Sequence, residues 1–181
     1  MKSKPDSKMT TINDKTFLSI DILIVDDEIP NLKLLAEFLG HAGYQVRSTE
    51  KPQLAIDSAL AKPPALILLD VRMPEMDGFE VCKRLKQDER TRDVPVIFIS
   101  ALQDVQDRIR GFEVGGVDFI SKPIQKEEVL ARVRTHTELR NMQLNLERMV
   151  AKRTAEVIER EERFRATFEQ AAVGIAHVSP D

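Results

Sequence analysis

An α/β fold, with a parallel sheet covered by helices on both faces and a long helix at its C-terminal end, is predicted by three observations. Short apolar, β-rich runs recur at residues 22–25 (ILIV), 44–48 (YQVRS), 65–69 (ALILL), 95–100 (PVIFIS) and 117–120 (VDFI). Stretches of helical periodicity separate them, so the chain reads as repeated βαβ units, in which parallel strands are joined by crossover helices. ILIV and ALILL are apolar at consecutive positions, the pattern of strands buried on both sides. Together these features predict a doubly wound sheet of five strands.

The elements follow in order. Residues 1–19 are polar, aperiodic and include Pro5, and are expected to form a flexible leader. Leu32, Leu35, Ala36 and Leu39 take the i, i+3, i+4, i+7 spacing of a first helix, and Gly43 lies where a helix stop belongs. Leu54, Ala55, Ala59 and Leu60 mark the second helix, Phe79, Cys82 and Leu85 the third, and Val105, Ile109 and Phe112 the fourth. The fifth begins near Gln125. No Pro or Gly interrupts the chain from Gln125 to Gln170, so this helix is expected to be long.

Along that helix Leu139, Met142, Leu146 and Met149 alternate by three and four. Val150, Val157 and Phe164 resume the pattern, with Thr154, Glu161 and Phe168 as partner positions. The step from Leu146 to Val150 is a four-residue stutter, which locally unwinds a coiled coil. A narrow apolar seam between faces rich in Arg and Glu predicts a coiled-coil helix over 137–163 and a parallel homodimer.

Composition limits the function classes. A 42% hydrophobic and 31% charged content describes a globular chain with a real core. The formal net charge of -3 argues against direct nucleic-acid binding, which needs a concentrated basic face. Apolar runs of about five residues fall far short of the roughly 20 of a membrane span, and no apolar signal core opens the chain, so a cytoplasmic location is expected. The lone cysteine, Cys82, excludes an internal disulfide and reads as a small buried hydrophobe.

In a doubly wound sheet, sites form beyond the carboxyl ends of the strands near the switch in strand order. That rule selects Asp26 and Asp27 after the first strand, Asp70 after the third, Ser100 after the fourth, and Lys122 with Pro123 after the fifth. Singly, each is an ordinary strand-end or loop residue. In conjunction they form a site: crowded carboxylates stay ionised only beside a cation, and hard oxygen ligands with an incomplete shell suit Mg²⁺. Asp70 is then placed to act as a nucleophile and Lys122 to neutralise an anionic oxygen. The cleft fits a phosphoryl group.

DD at 26 and 27, DVRMPEMDG at 70–78, SA at 100 and 101, and FISKP at 119–123 resemble the receiver domain of bacterial two-component response regulators, over residues 20–136. The resemblance implies a flavodoxin-like sheet of strand order 2-1-3-4-5. It implies Asp70 as phosphoacceptor for a sensor histidine kinase or a phosphotransfer protein. Mg²⁺ would be bound by Asp27, Asp70 and the backbone carbonyl of Arg72, with Asp26 acting largely through metal-bound water. Lys122 would contact the phosphoryl group, the Ser100 hydroxyl would move to it, and Phe119 would rotate inward as the switch aromatic. This position is more often Tyr, and Phe lacks the phenol hydrogen bond. Pro123 would follow a cis peptide. Arg72 and Leu102 would flank the path of attacking water, and their bulk implies slow self-dephosphorylation.

Other readings compete. A haloacid-dehalogenase-like, Mg²⁺-dependent phosphatase needs a second Asp two positions after the nucleophile, where this chain has Arg72. A histidine phosphotransfer or kinase fragment would use His136, but Thr137 stands where the acidic neighbour belongs and no Pro follows. His41, His136 and His177 read as structural or exposed residues. Residues 164–181 are similar to the opening of a PAS sensory domain, a helix followed by the strand GIAHV. A lone strand is not independently stable, so the chain is expected to be a piece of a longer signalling protein whose output domain follows. The receiver reading makes the chain a phosphoacceptor module and not itself an enzyme.

Overall fold

The computed structural model describes residues 20–101 and 105–176. The leader at 1–19, Leu102 and His177 lie outside the described residues. Five strands, β1 (Asp21–Val25), β2 (Gln45–Thr49), β3 (Leu66–Asp70), β4 (Val96–Ser100) and β5 (Asp118–Ser121), form one parallel sheet in the order β2-β1-β3-β4-β5. Between and after them run α1 (Ile29–His41), α2 (Pro52–Ala61), α3 (Gly78–Gln87), α4 (Val105–Glu113) and α5 (Lys126–Ala176).

The period-two alternation of strand side chains divides the core between the two faces. On one face Ile22, Ile24, Leu66, Leu68, Ile97 and Ile99 pack against Leu32, Leu35 and Leu39 of α1 and Val129 and Val133 at the start of α5. On the other, Leu23, Val25, Ile67, Leu69, Val96 and Phe98 meet Ala55, Ile56 and Ala59 of α2 and Phe79, Cys82 and Leu85 of α3. Every residue of β3 and β4 is buried. Gly43, with φ of +90°, lets the chain turn out of α1 into β2.

Two helices present faces other than those expected. In α2, Pro52, Ala55, Ile56 and Ala59 are buried while Leu54 is exposed. In α4, Val105, Ile109 and Phe112 are exposed, and Gly111 is the buried residue. A Cβ on Gly111 would collide with the Phe119 ring. The ring fills the space beneath α4, and only a residue without a side chain lets the helix approach.

The chain divides into two compact units, the first ending at Arg134 and the second beginning at Thr135. The second unit is helical to Ala176. Gly174, Ile175 and Ala176 therefore continue the helix instead of opening the expected strand. Among the described residues no helix is long and apolar enough to cross a membrane.

Candidate functional site

Sheet register assembles one acidic cluster at the carboxyl edge. Val25 pairs with Leu69, so Asp26, one step beyond β1, lies level with Asp70, the last residue of β3. Asp26, Asp27 and Asp70 each offer a carboxylate oxygen, all within 4.8 Å of one another. Asp26 and Asp70 are buried and Asp27 is half-buried. Three hard oxygen donors converging at a partly open rim fit a small divalent cation.

The fixed members of this cluster have identifiable supports. Asp26 Oδ1 accepts the Glu28 backbone N–H at 2.8 Å, and Asn31 Nδ2 donates to Oδ1 at 3.1 Å and to Oδ2 at 3.0 Å. Lys122 Nζ lies 2.9 Å from Asp70 Oδ1 and 3.5 Å from Asp26 Oδ2. Its backbone N–H donates to the Ser100 carbonyl at 3.0 Å, and the Lys122–Pro123 peptide is cis. Burial pushes the Asp70 carboxyl up to about 6; the Lys122 hydrogen bond and charge oppose that shift, and repulsion from Asp26 and Asp27 adds to it. For Lys122, burial pulls down, but the hydrogen bond and charge of Asp70, with Asp26 and Glu28, push the ammonium above its ordinary value. The site holds its lysine charged and strains its central acid toward neutrality.

After Asp70 the chain folds back on itself. The Val71 N–H donates to the Ile99 carbonyl at 3.1 Å, and the Gly78 N–H to the Val71 carbonyl at 2.9 Å. Glu75 takes a left-handed φ of 69°, and Asp77 Oδ1 caps α3 by accepting the Glu80 N–H at 2.8 Å. Met-Pro and Asp-Gly thus hold a closed loop that stops β3 at its acid. Asp27 and the exposed Arg72 line a cavity of about 590 Å³ beside the site, together with Met73, Pro74, Asp77 and Arg110.

Ser100 is buried at the end of β4. Phe119 points inward, its ring 5.3 Å from that of Phe98 and 5.2 Å from that of Phe112. Phe98 in turn meets Phe79 at 5.1 Å. Arg110 of α4 stacks over the Phe79 ring at 4.6 Å and reaches Asp77 Oδ2 at 3.3 Å, which ties α4 to the loop that follows Asp70. Sequence reasoning missed Asn31, Gly111 and Arg110. For Asn31 the signal was present: an amide in the first turn of α1 can return to the acid just before that helix. Cys82 is buried and its thiol is pushed up to about 11 by burial, consistent with an inert core residue. The rival phosphatase's second acid is absent, since Arg72 occupies that position.

Residues 22–134 match the response regulator receiver domain family. The DNA-binding dual master transcriptional regulator RpaA of Synechocystis sp. is 44% identical over 113 residues, 62% of this chain and 47% of that protein. The response regulator PleD of Caulobacter vibrioides is 44% identical over 123 residues, 68% of this chain and 27% of that protein. The chain therefore spans half or less of these relatives' own lengths. The receiver domain of a signal transduction histidine kinase from Syntrophus aciditrophicus superposes with a TM-score of 0.61 at 35% identity, covering 65% of this chain and 89% of that one. The family match spans more than half of the chain, and the chain, a sheet of order 2-1-3-4-5 with acids and a lysine gathered at its carboxyl edge, belongs to the response regulator receiver family, whose work is phosphorelay signalling.

Proposed function

We propose that the domain accepts a phosphoryl group on Asp70 from the phosphohistidine of a sensor kinase or phosphotransfer protein. The observation that carries this reading is the buried Asp70 carboxylate set between a charged lysine and two further acids. An Asp70 oxygen forms the new O–P bond as the P–N bond of the donor breaks, and the imidazole keeps the electron pair and recovers a proton. Lys122 neutralises charge on the transferred oxygens. Asp27, Asp70 and the Arg72 carbonyl would hold Mg²⁺, with Asp26 acting through water. The ion supplies further charge neutralisation where the phosphoryl oxygens gather. The Ser100 hydroxyl and the inward Phe119 ring carry the switch. Intact-mass measurement with acetyl phosphate tests this assignment. One phosphoryl addition is expected in wild type with Mg²⁺ and none in Asp70→Asn; equal addition to both overturns it.

Asn31 is a positioning residue in this reading. It grips both Asp26 oxygens, and loss of such a support weakens metal affinity by about 10–100-fold. Asn31→Ala is expected to weaken Mg²⁺ binding in calorimetric titration within that range while the fold's circular dichroism is unchanged.

The phosphorylated state is relayed along α5, which forms a parallel homodimer in a cytoplasmic signalling protein. Leu139, Met142, Leu146, Val150, Val157 and Phe164 are all exposed, and a helix of this length draws most of its stability from packing an amphipathic face. A second reading is favoured by the α4 face, where Val105, Ile109 and Phe112 are also exposed. Light scattering on a piece ending near His136 separates them. A monomer is expected; dimerisation as tight as that of the whole chain assigns the contact to α4.

A further inference from the structure

We propose that Thr154 and Glu161 fix the pairing of α5 as parallel and in register, by forming two polar layers inside the seam that closes against a second copy of this chain. The inference rests on the homodimer reading above and concerns what sets its geometry. From Val150 onward the seam positions run Val150, Thr154, Val157, Glu161 and Phe164, so a polar residue alternates with an apolar one through the distal half. A seam chosen only for strength would be apolar throughout. One polar residue at such a position specifies register and oligomer state at a cost in stability.

The two polar residues are already prepared for burial. The Thr154 hydroxyl donates to the Val150 carbonyl of its own helix at 3.0 Å, so it can enter an interface with its hydrogen bond made. Glu161 Oε1 lies 3.3 Å from Arg165 Nη2, and Arg160 stands on its other flank in sequence. Arg160 and Arg165 are the positions that border the Glu161 layer in a coiled coil.

In a parallel, in-register pair both Glu161 side chains fall in one layer bordered by Arg160 and Arg165 of both copies. Cations then outnumber carboxylates, and the charge complementarity identifies the partner as this same helix. Slipping by one heptad would set Glu161 beside Thr154 on one side and the Phe168 position on the other. An antiparallel pair would set it in an apolar layer with Val157 or Phe164. Both alternatives set at least one Glu161 against an apolar position, with only the Arg165 of its own helix as its established partner, which is less favourable than a layer bordered by arginines of both copies. The polar layers therefore act chiefly against wrong pairings.

The test uses the whole chain. Val157→Cys is oxidised alone and in a mixture with Phe164→Cys, and dimer affinity is measured by sedimentation equilibrium with and without Glu161→Leu. With Glu161 present, the expected product is the symmetric cross-link of Val157→Cys, with little mixed cross-link. Glu161→Leu is expected to tighten the dimer about tenfold or more and to let the mixed, out-of-register cross-link appear. A dimer whose affinity and cross-linking pattern are unchanged by Glu161→Leu overturns the register role while leaving the homodimer standing. A chain that stays monomeric, or dimerises without any cross-link through Val157→Cys, overturns the homodimer through α5 and the register role with it.

Discussion

Replacing Lys122 by alanine is expected to slow phosphoryl acceptance at Asp70 by about 10²–10³-fold, the loss that follows removal of one preorganised charge-stabilising group. The same change should lower the stability of the metal-free chain and tighten its grip on Mg²⁺. The three effects have one cause. Lys122 touches two carboxylates, at 2.9 Å and 3.5 Å, and both of those acids are buried. Without the ammonium, Asp26, Asp27 and Asp70 repel one another with no cation beside them, so the folded state becomes less favourable at neutral pH. Breaking a fully buried pair costs about 3–5 kcal/mol; Lys122 keeps 24% of its side-chain exposure, so about 1–3 kcal/mol is expected. A divalent cation meets one competitor fewer and binds more tightly. Rate, thermal midpoint and calorimetric affinity are measured on one variant. If metal affinity falls together with the rate, Lys122 merely supports the fold and the charge argument fails.

The parts of this architecture that were legible in the sequence are those set by short-range pattern. Strands interrupted by a polar residue at one end announce themselves, and βαβ connectivity then sends all those ends to one edge of the sheet, which is why Asp26, Asp70, Ser100 and Lys122 group together on pattern alone. Strand limits differ by a residue because pairing with neighbours, and not composition, decides where a ladder closes. The face of α4 was not legible. Periodicity finds an apolar stripe but cannot tell that a ring from β5 occupies the space beneath it, and only Gly111 marks the close approach. Asn31 carried a signal, an amide in the first turn of α1, but its bonds to Asp26 depend on how α1 leaves the sheet edge, which periodicity does not describe. Of the strand expected at GIAHV, Gly174, Ile175 and Ala176 are helical as the end of α5, while His177 and Val178 lie outside the described residues.

The strongest steric prediction falls on Gly78. A Cβ there would collide with the Asp70 carbonyl oxygen and lie 3.0 Å from the Val71 Cα. Both obstacles are backbone, so neither can rotate away as a flexible side chain would. The Gly78 N–H is also committed to the Val71 carbonyl at 2.9 Å, and Asp77 just before it caps α3. Relief can come only by moving the end of β3, the residue that carries the acid, or by opening the loop. Gly78→Ala is therefore expected to destabilise the domain by about 1–3 kcal/mol, the usual magnitude for an overpacked site, and to reduce phosphoryl acceptance well beyond the unfolded fraction. Gly40 supplies the control. It lies in α1 with nothing within 4 Å of its added Cβ, so Gly40→Ala should stabilise by up to about 1 kcal/mol through helix propensity. Chemical denaturation gives both stabilities, and intact-mass kinetics with acetyl phosphate give both rates. Should Gly78→Ala match Gly40→Ala in stability and label at the wild-type rate, the loop after Asp70 is soft and its close packing does not position the acid.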